Sequence, residues 1–250
     1  MSFSTVAEFY DLVNGSAYIP YADYLEQAFS HSQIEVREVL DLGCGTGGIC
    51  SLLADKGYDM VALDISYEML NLARERNMGK NTLLLCQDMR DFELYGTVGA
   101  VCSCLDSINY LTTQKDLERC FSCVHNYLDP DGLFIFDVNT PYKFENIYAN
   151  NHYIFEDCDS NGQNAYCGWQ NEYDRETGIC TFYLSVFTES CDGSYERSDE
   201  EQTEKCYAAD QLKDSLSRCG FELVGFFADY NFSSPKDDSE RWYIVARAKK

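Results

Sequence analysis

Asp41-Leu42-Gly43-Cys44-Gly45-Thr46-Gly47-Gly48 decides how this 250-residue chain is read. An apolar run at 36–42 that reads as a strand precedes it, and a helical pattern at 47–56 follows. The glycines therefore stand where a strand turns into a helix and the backbone must pass close to a ligand. Gly43, Gly45 and Gly48 satisfy G-x-G-x-x-G, the spacing of dinucleotide sites. Asp64, 21 residues past Gly43, suits a ribose hydroxyl pair in either kind of nucleoside site. Asp41 bears on the choice. A pyrophosphate on this loop would be repelled by a carboxylate about 4 Å away, by roughly 1 to 4 kcal/mol depending on the local dielectric. A cationic nucleoside would be attracted.

Outward from the loop, short apolar runs alternate with helical patterns. Strands are expected at 58–63, 82–86, 100–105 and 133–136, and helices at 67–76, with Ser66 as N-cap, and at 115–127, capped by Thr112 or Thr113. This alternation predicts βαβ units, hence an α/β fold: a Rossmann-like, doubly wound, mostly parallel seven-stranded sheet. After Asp137 the pattern changes. The stretch 140–206 is rich in Tyr, Asn, Glu and Thr, with a strand at 181–188 between turn signals at Thr177-Gly178 and Asp192-Gly193, and reads as a small antiparallel β insertion. A helix at 210–219 ending on Gly220 and strands at 221–228 and 242–248 return to the first sheet. The expected division is an N-terminal helical lid at 1–35, a main domain at 36–139 plus 207–250, and the insertion at 140–206.

Composition excludes several classes. The chain is 45% hydrophobic and 24% charged, as globular proteins are. Its formal charge of −23 is spread, with 8 basic and 21 acidic residues in 1–140 and 11 and 21 in 141–250. A protein with no basic segment makes a poor nucleic-acid binder, whereas its field attracts cations. No apolar run approaches a membrane span of roughly 18 residues. The first Lys or Arg is Arg37, so no export signal or membrane partner is expected. Thirteen cysteines, an odd number without regular spacing, read as reduced thiols in a cytoplasm. Cys120-x-x-Cys123 lacks the second pair of a zinc site, and Cys102-x-Cys104 lies in a buried-strand pattern, so no metal is expected.

Three motifs in order, VLDLGCGTGG at 39–48, ALDISYEML at 62–70 and CQDMRDF at 86–92, resemble the cofactor half of class I S-adenosylmethionine-dependent methyltransferases. The resemblance covers about 100 residues strongly. It implies S-adenosyl-L-methionine as cofactor and S-adenosyl-L-homocysteine as product. By position, Gly43, Cys44 and Gly45 would face the methionine moiety, Asp64 the ribose, and Ile65 and Met69 the adenine. Asp88 would accept from the adenine amino group, Met89 would supply a backbone contact, and Leu105 would end the cofactor wall. The stretches at 9–12 and 18–24 (YIPYADY) resemble the aromatic lid of small-molecule members, with Tyr10 and Tyr21 touching the cofactor through cation–π attraction.

On the acceptor side, ligands of open α/β sheets lie beyond the strands' carboxyl ends, which places Asp106, Asn109 and Tyr110 beside the transferred methyl. The Asn/Asp-Pro-Pro-Tyr tetrapeptide that similar enzymes place here is absent, so no catalytic residue carries over. The stretch 194–207 resembles a strand of bacterial relatives that often have His where this chain has Gln202. His152 is the remaining histidine near the insertion. Catalytic candidates are thus Asn109, Tyr110 and His152. The expected function is methyl transfer to a small-molecule acceptor, against two rivals: a non-catalytic S-adenosylmethionine-binding regulator and an NAD-dependent dehydrogenase.

Overall fold

The computed structural model describes residues 7–158 and 164–250. The expectations that fall on 1–6 and 159–163, and on the side chains of Phe9 and Leu12, lie outside the described residues. Strands β1 (Glu38–Leu42), β2 (Asp59–Asp64), β3 (Thr82–Cys86), β4 (Val98–Ser103) and β5 (Leu128–Asn139) are parallel. Strands β10 (Phe221–Phe227) and β11 (Arg241–Ala248) extend the sheet antiparallel, giving the order β10-β11-β5-β4-β1-β2-β3. The chain runs from β1 outward to β3 and then crosses back to β4 and β5. The direction therefore reverses between β1 and β4, and a crevice opens beyond their carboxyl ends.

Helices cover both faces. Helices α4 (Gln114–Tyr127) and α5 (Ala209–Arg218) bury Leu117, Phe121, Val124, Leu212 and Leu216 against Phe134 and Phe136. Helices α1 (Ala7–Ser30) and α2 (Gly48–Asp55) bury Tyr21, Leu25, Ile49 and Leu53 against Val39 and Ile135. Helix α3 (Tyr67–Arg76) begins as expected, with the Ser66 hydroxyl accepting from the N–H of Met69. Thr113 caps α4, its hydroxyl accepting from the N–H of Asp116, which resolves the choice between Thr112 and Thr113. No described helix is long and apolar enough to cross a membrane.

The insertion is a second sheet of four antiparallel strands in chain order: β6 (His152–Cys158), β7 (Asn164–Asp174), β8 (Ile179–Glu189) and β9 (Tyr195–Lys205). It closes its own core around Phe144, Tyr148, Phe182 and Val186. One boundary departs instructively from the expectation. The apolar run that reads as a strand to residue 105 leaves the sheet at Ser103, because Leu105 and Asp106 are both left-handed, at φ 56° and 61°.

Helix α1 is tied across the start of α2 at a point where only glycine fits. A Cβ at Gly48 would lie 2.4 Å from the ring of Tyr18, whose hydroxyl donates to Asp11 at 2.6 Å. Asp11 also accepts from Thr46 at 2.6 Å and pairs with Arg76, so the ring cannot swing aside freely. Gly48→Ala is expected to cost about 1 to 3 kcal/mol, the usual penalty of overpacking a well-filled contact, read as a lowered midpoint in chemical denaturation.

Candidate functional site

The crevice is a cavity of about 930 Å³, at the upper end of the range for ligand sites. Its first half is built by the glycine loop and β2. Gly43 and Gly45 have φ of 76° and 53°, and a Cβ at Gly43 would meet Ser107 at 2.9 Å. The loop is therefore pressed against the turn after β4, whose Ser107 hydroxyl donates to the Gly43 carbonyl at 3.2 Å. Asp64 accepts from the N–H of Gly45 and of Ser66, both at 2.8 Å. These bonds oppose the burial that raises its pKa, and the carboxylate retains lone pairs toward the cavity. Ile65, 51% exposed, and Met69 line the same wall with Asp88, Met89, Leu105 and Tyr10. Asp88 also chelates Arg90, with Nε bonds of 2.9 and 3.0 Å that hold its carboxyl low.

The second half comes from the turn after β4, the π-helical turn Lys143–Tyr148, and residues of β6, β7, β8, β9 and β11. Trp169, Phe182 and Leu184 supply apolar walls; Tyr110, Lys143, Gln202, Glu204 and Arg241 supply the polar groups. Asp106 stands between the halves. Its backbone conformation is held by Asp137, whose carboxylate accepts from the N–H of Leu105 at 2.7 Å and of Asp106 at 3.0 Å. Arg241 pairs with Asp137 and, at 2.6 Å, with Asp106. Burial would raise the Asp106 pKa, but Arg241 and Lys143 outweigh it and keep the carboxylate ionised.

Several residues stand elsewhere than expected. Tyr21 does not line the cavity: it is fully buried in a ring cluster with Tyr24, Tyr230 and Tyr243, and its hydroxyl donates to Asp137 at 2.5 Å. The aromatic spacing was legible, but Tyr21 points to the sheet and Tyr10 to the cavity. Cys44 and Asp41 sit behind the loop, facing a crevice with room for about one water that shares Tyr10, Gly43 and Leu105 with the main cavity. Asn109 is buried as a strut, bonding the Lys205 carbonyl at 2.8 Å and the Asn139 N–H at 2.9 Å. His152 is exposed at the start of the edge strand β6 and does not line the cavity, although Tyr153 beside it does. Tyr110 does line it and donates to Gln202 at 2.7 Å.

Glu204, Lys143 and Arg241 were missed. The resemblance of 194–207 to a strand singles out Gln202 and not Glu204; β9 buries alternate residues, Glu200, Gln202 and Glu204. The period of two was the available signal. The twelve described cysteines are free thiols. Cys102, Cys104 and Asp41 bring three ligand-type atoms within 4.8 Å of one another; the hydrogen bond with Cys104 first and burial second push the Cys102 thiol up, and burial pushes Cys104 up to about 11.

The chain and its fold have known relatives. A model of the methyltransferase-domain family matches residues 39–132. YqeM of Bacillus subtilis (strain 168), which carries a methyltransferase name, is 30% identical over 253 residues, spanning 100% of this chain and 98% of that one. The crystal structure of an S-adenosylmethionine-dependent methyltransferase from Clostridium acetobutylicum ATCC 824 superposes with a TM-score of 0.87 at 26% identity, covering 99% of both chains. A dTDP-3-amino-3,6-dideoxy-alpha-D-glucopyranose N,N-dimethyltransferase from Streptomyces fradiae is 33% identical over 133 residues, 52% of this chain and 51% of that one. The chain belongs to the class I S-adenosylmethionine-dependent methyltransferases.

Two substitutions separate the cavity wall from its support. Asp64→Ala is expected to weaken S-adenosylmethionine binding by about 1 to 3 kcal/mol, the worth of charge-assisted hydrogen bonds. Tyr21→Phe is expected to lose a similar amount of folding stability with cofactor affinity unchanged, and calorimetry with denaturation reads the two apart.

Asp41, 2% exposed, is raised to about 7, by burial first and by Asp64 second. Between its ordinary 3.8 and about 7 the folded state holds the extra proton, so stability falls as pH rises through that window. Asp41→Asn should flatten the fall, by on the order of 2 kcal/mol, in denaturation curves recorded from pH 4 to 8.

Proposed function

We propose that the protein transfers the methyl group of S-adenosyl-L-methionine to a small-molecule acceptor and releases S-adenosyl-L-homocysteine. The observation that carries this reading is the continuity of one cavity of about 930 Å³ from the glycine loop to the insertion. A regulator that only bound the cofactor would have no use for its second half. The residues fit the cofactor: Asp64 offers lone pairs to a ribose, Ile65 and Met69 offer apolar faces to a ring, and Asp88 and Met89 stand at the rim. Membership of the methyltransferase family sets the dehydrogenase reading aside.

When bound, the cofactor supplies a sulfonium methyl with a good leaving group, open to in-line displacement. What remains for the protein is positioning and exclusion of water. Tyr10 from α1 closes the cavity beside Gly45: a Cβ there would lie 3.5 Å from its ring. Trp169, Phe182 and Leu184 offer an apolar bed for the acceptor's body. The polar end would lie by Asp106, Tyr110 and Glu204, and their acidity favours an amine. So does the name of the Streptomyces fradiae relative, an N,N-dimethyltransferase of an amino sugar. The net charge of −23 argues against a nucleic-acid acceptor. On this reading 1–35 is a lid, 36–139 with 207–250 holds the cofactor, 140–206 completes the acceptor site, and the free thiols suit a cytoplasmic protein.

The test is calorimetry with S-adenosylmethionine and with NAD, followed by incubation with the methyl-labelled cofactor and a metabolite extract, tracing the labelled product by mass spectrometry. Cofactor binding with a labelled small molecule is expected. Binding of NAD alone, or label found only in RNA or DNA, would overturn the reading.

A further inference from the structure

The bottom of the acceptor half holds a pair of carboxyl groups that family membership does not explain. Asp106, on the turn after β4, and Glu204, near the end of β9, both line the cavity and lie close enough for each to bear on the other's proton affinity. Two neighbouring carboxyl groups in a buried site favour one shared proton over two charges. Glu204 is 3% exposed and accepts from Asn139 Nδ2 at 3.0 Å. Asn139 is fixed in turn by Asn109, through its backbone N–H, and by Lys143 Nζ, through its Oδ1 at 3.0 Å.

The two acids differ in their partners. Asp106 is gripped by Arg241 at 2.6 Å on a backbone of two consecutive left-handed non-glycine residues. Such a conformation costs energy and persists where the surroundings over-determine it, often at functional sites. Glu204 has no arginine partner among its described contacts. Its surroundings are Asp106, Lys143 of the π-helical turn, Tyr110 of the turn after β4, Tyr148, and Cys180 of β8. Tyr10 of α1 and Arg241 of β11 face Asp106 on its other side. Burial, with Asp106 second, raises the Glu204 pKa well above the usual carboxyl range, whereas Asp106 is held low. Opposite displacement of two neighbouring acids is the pattern that divides roles between them.

Resting on the methyltransferase reading above, we propose that Glu204 is the proton acceptor of the reaction, Asp106 its positioning partner, and the acceptor a primary or secondary amine that enters as its ammonium ion. The reactive form is the pair that has released its shared proton to solvent; the ammonium gives one proton to the Glu204 carboxylate so exposed, and the resulting O–H faces Asp106. The freed nitrogen lone pair forms the N–C bond as the S–C bond breaks with its electron pair remaining on sulfur. The product leaves as a methylammonium ion, carrying the charge that the sulfonium brought, and Glu204 returns its proton to solvent. A base whose affinity for protons lies near that of the buried amine is the kind that catalyses such a transfer.

The experiment uses the full chain and a panel of primary amines, amino sugars and arylalkylamines, with methyl-labelled S-adenosylmethionine. Wild-type protein is expected to methylate a member of the panel with a rate that rises as Glu204 deprotonates. Glu204→Gln should lower kcat about 100-fold or more and remove that rise, with cofactor affinity by calorimetry unchanged. Glu204→Asp, which keeps a carboxylate, should recover part of the rate and covers the case in which the amide variant does not fold. A readout free of turnover is carbon-13 NMR of protein labelled at its glutamate carboxyls. One resonance, lost in the Glu204 variants, should titrate well above the ordinary glutamate range. Titration in the ordinary range, an unchanged rate in Glu204→Gln, or methylation confined to hydroxyl or thiol acceptors would overturn the proposal while leaving the methyltransferase reading intact. Failure to bind S-adenosylmethionine would instead remove that reading first.

Discussion

The carboxylate of Asp137 is the point on which the site depends. It is fully buried at the carboxyl end of β5 and meets four donors: the N–H groups of Leu105 and Asp106, the hydroxyl of Tyr21 and the guanidinium of Arg241. A buried carboxylate is tolerable only when its lone pairs are filled and its charge is met, and this one is satisfied by α1, the turn after β4 and β11 together. The left-handed turn that aims Asp106 into the cavity is thus a by-product of neutralising a charge in the core. Because breaking such a network by removing one partner costs far more than the pair contributes on balance, the three elements are bound to move as one. That rigidity is what a site relying on positioning requires.

The same logic explains why the cavity straddles β1 and β4. The glycine loop follows the first and the Asp106 turn the second, and the reversal of strand order leaves the space between them free of crossing helices. Ser107 bonded to Gly43 presses the two loops together, so that a change in one is felt in the other. The insertion then covers a site that the parallel sheet has already shaped.

How much of this was legible in the sequence follows from how local each signal is. The boundaries of α3 and β3, the Ser66 cap and the left-handed Gly220 rest on capping, short apolar runs and glycine, which act within a few residues. The glycine loop and Asp64 were legible for the same reason. Tyr21 was misplaced because an aromatic on α1 can serve either the sheet or the cavity, and only the tertiary position of Asp137 decides. Asn109 was taken for a reacting neighbour because its position after β4 suits one; its two bonds go to backbone that arrives from β5 and β9.

Strand β9 teaches the subtler point. Its Glu200, Gln202 and Glu204 occupy the inward face, where a strand of a sheet with one dry side should carry apolar residues. A hydrophobicity pattern reports burial only when buried means apolar. Here Gln202 and Glu204 look onto the cavity, whose cations, Lys143 and Arg241, come from a turn and a strand distant in sequence. The inverted pattern is therefore itself a site signal: an acidic stretch with alternate residues buried must be matched by cations or protons supplied from elsewhere. Arg241 is already committed to Asp106 and Asp137, and Lys143 to Asn139 and the face of Tyr148. Lys143 still faces Glu204, but burial and the neighbouring Asp106 outweigh it and push the Glu204 pKa well above the usual carboxyl range, which favours the protonated acid.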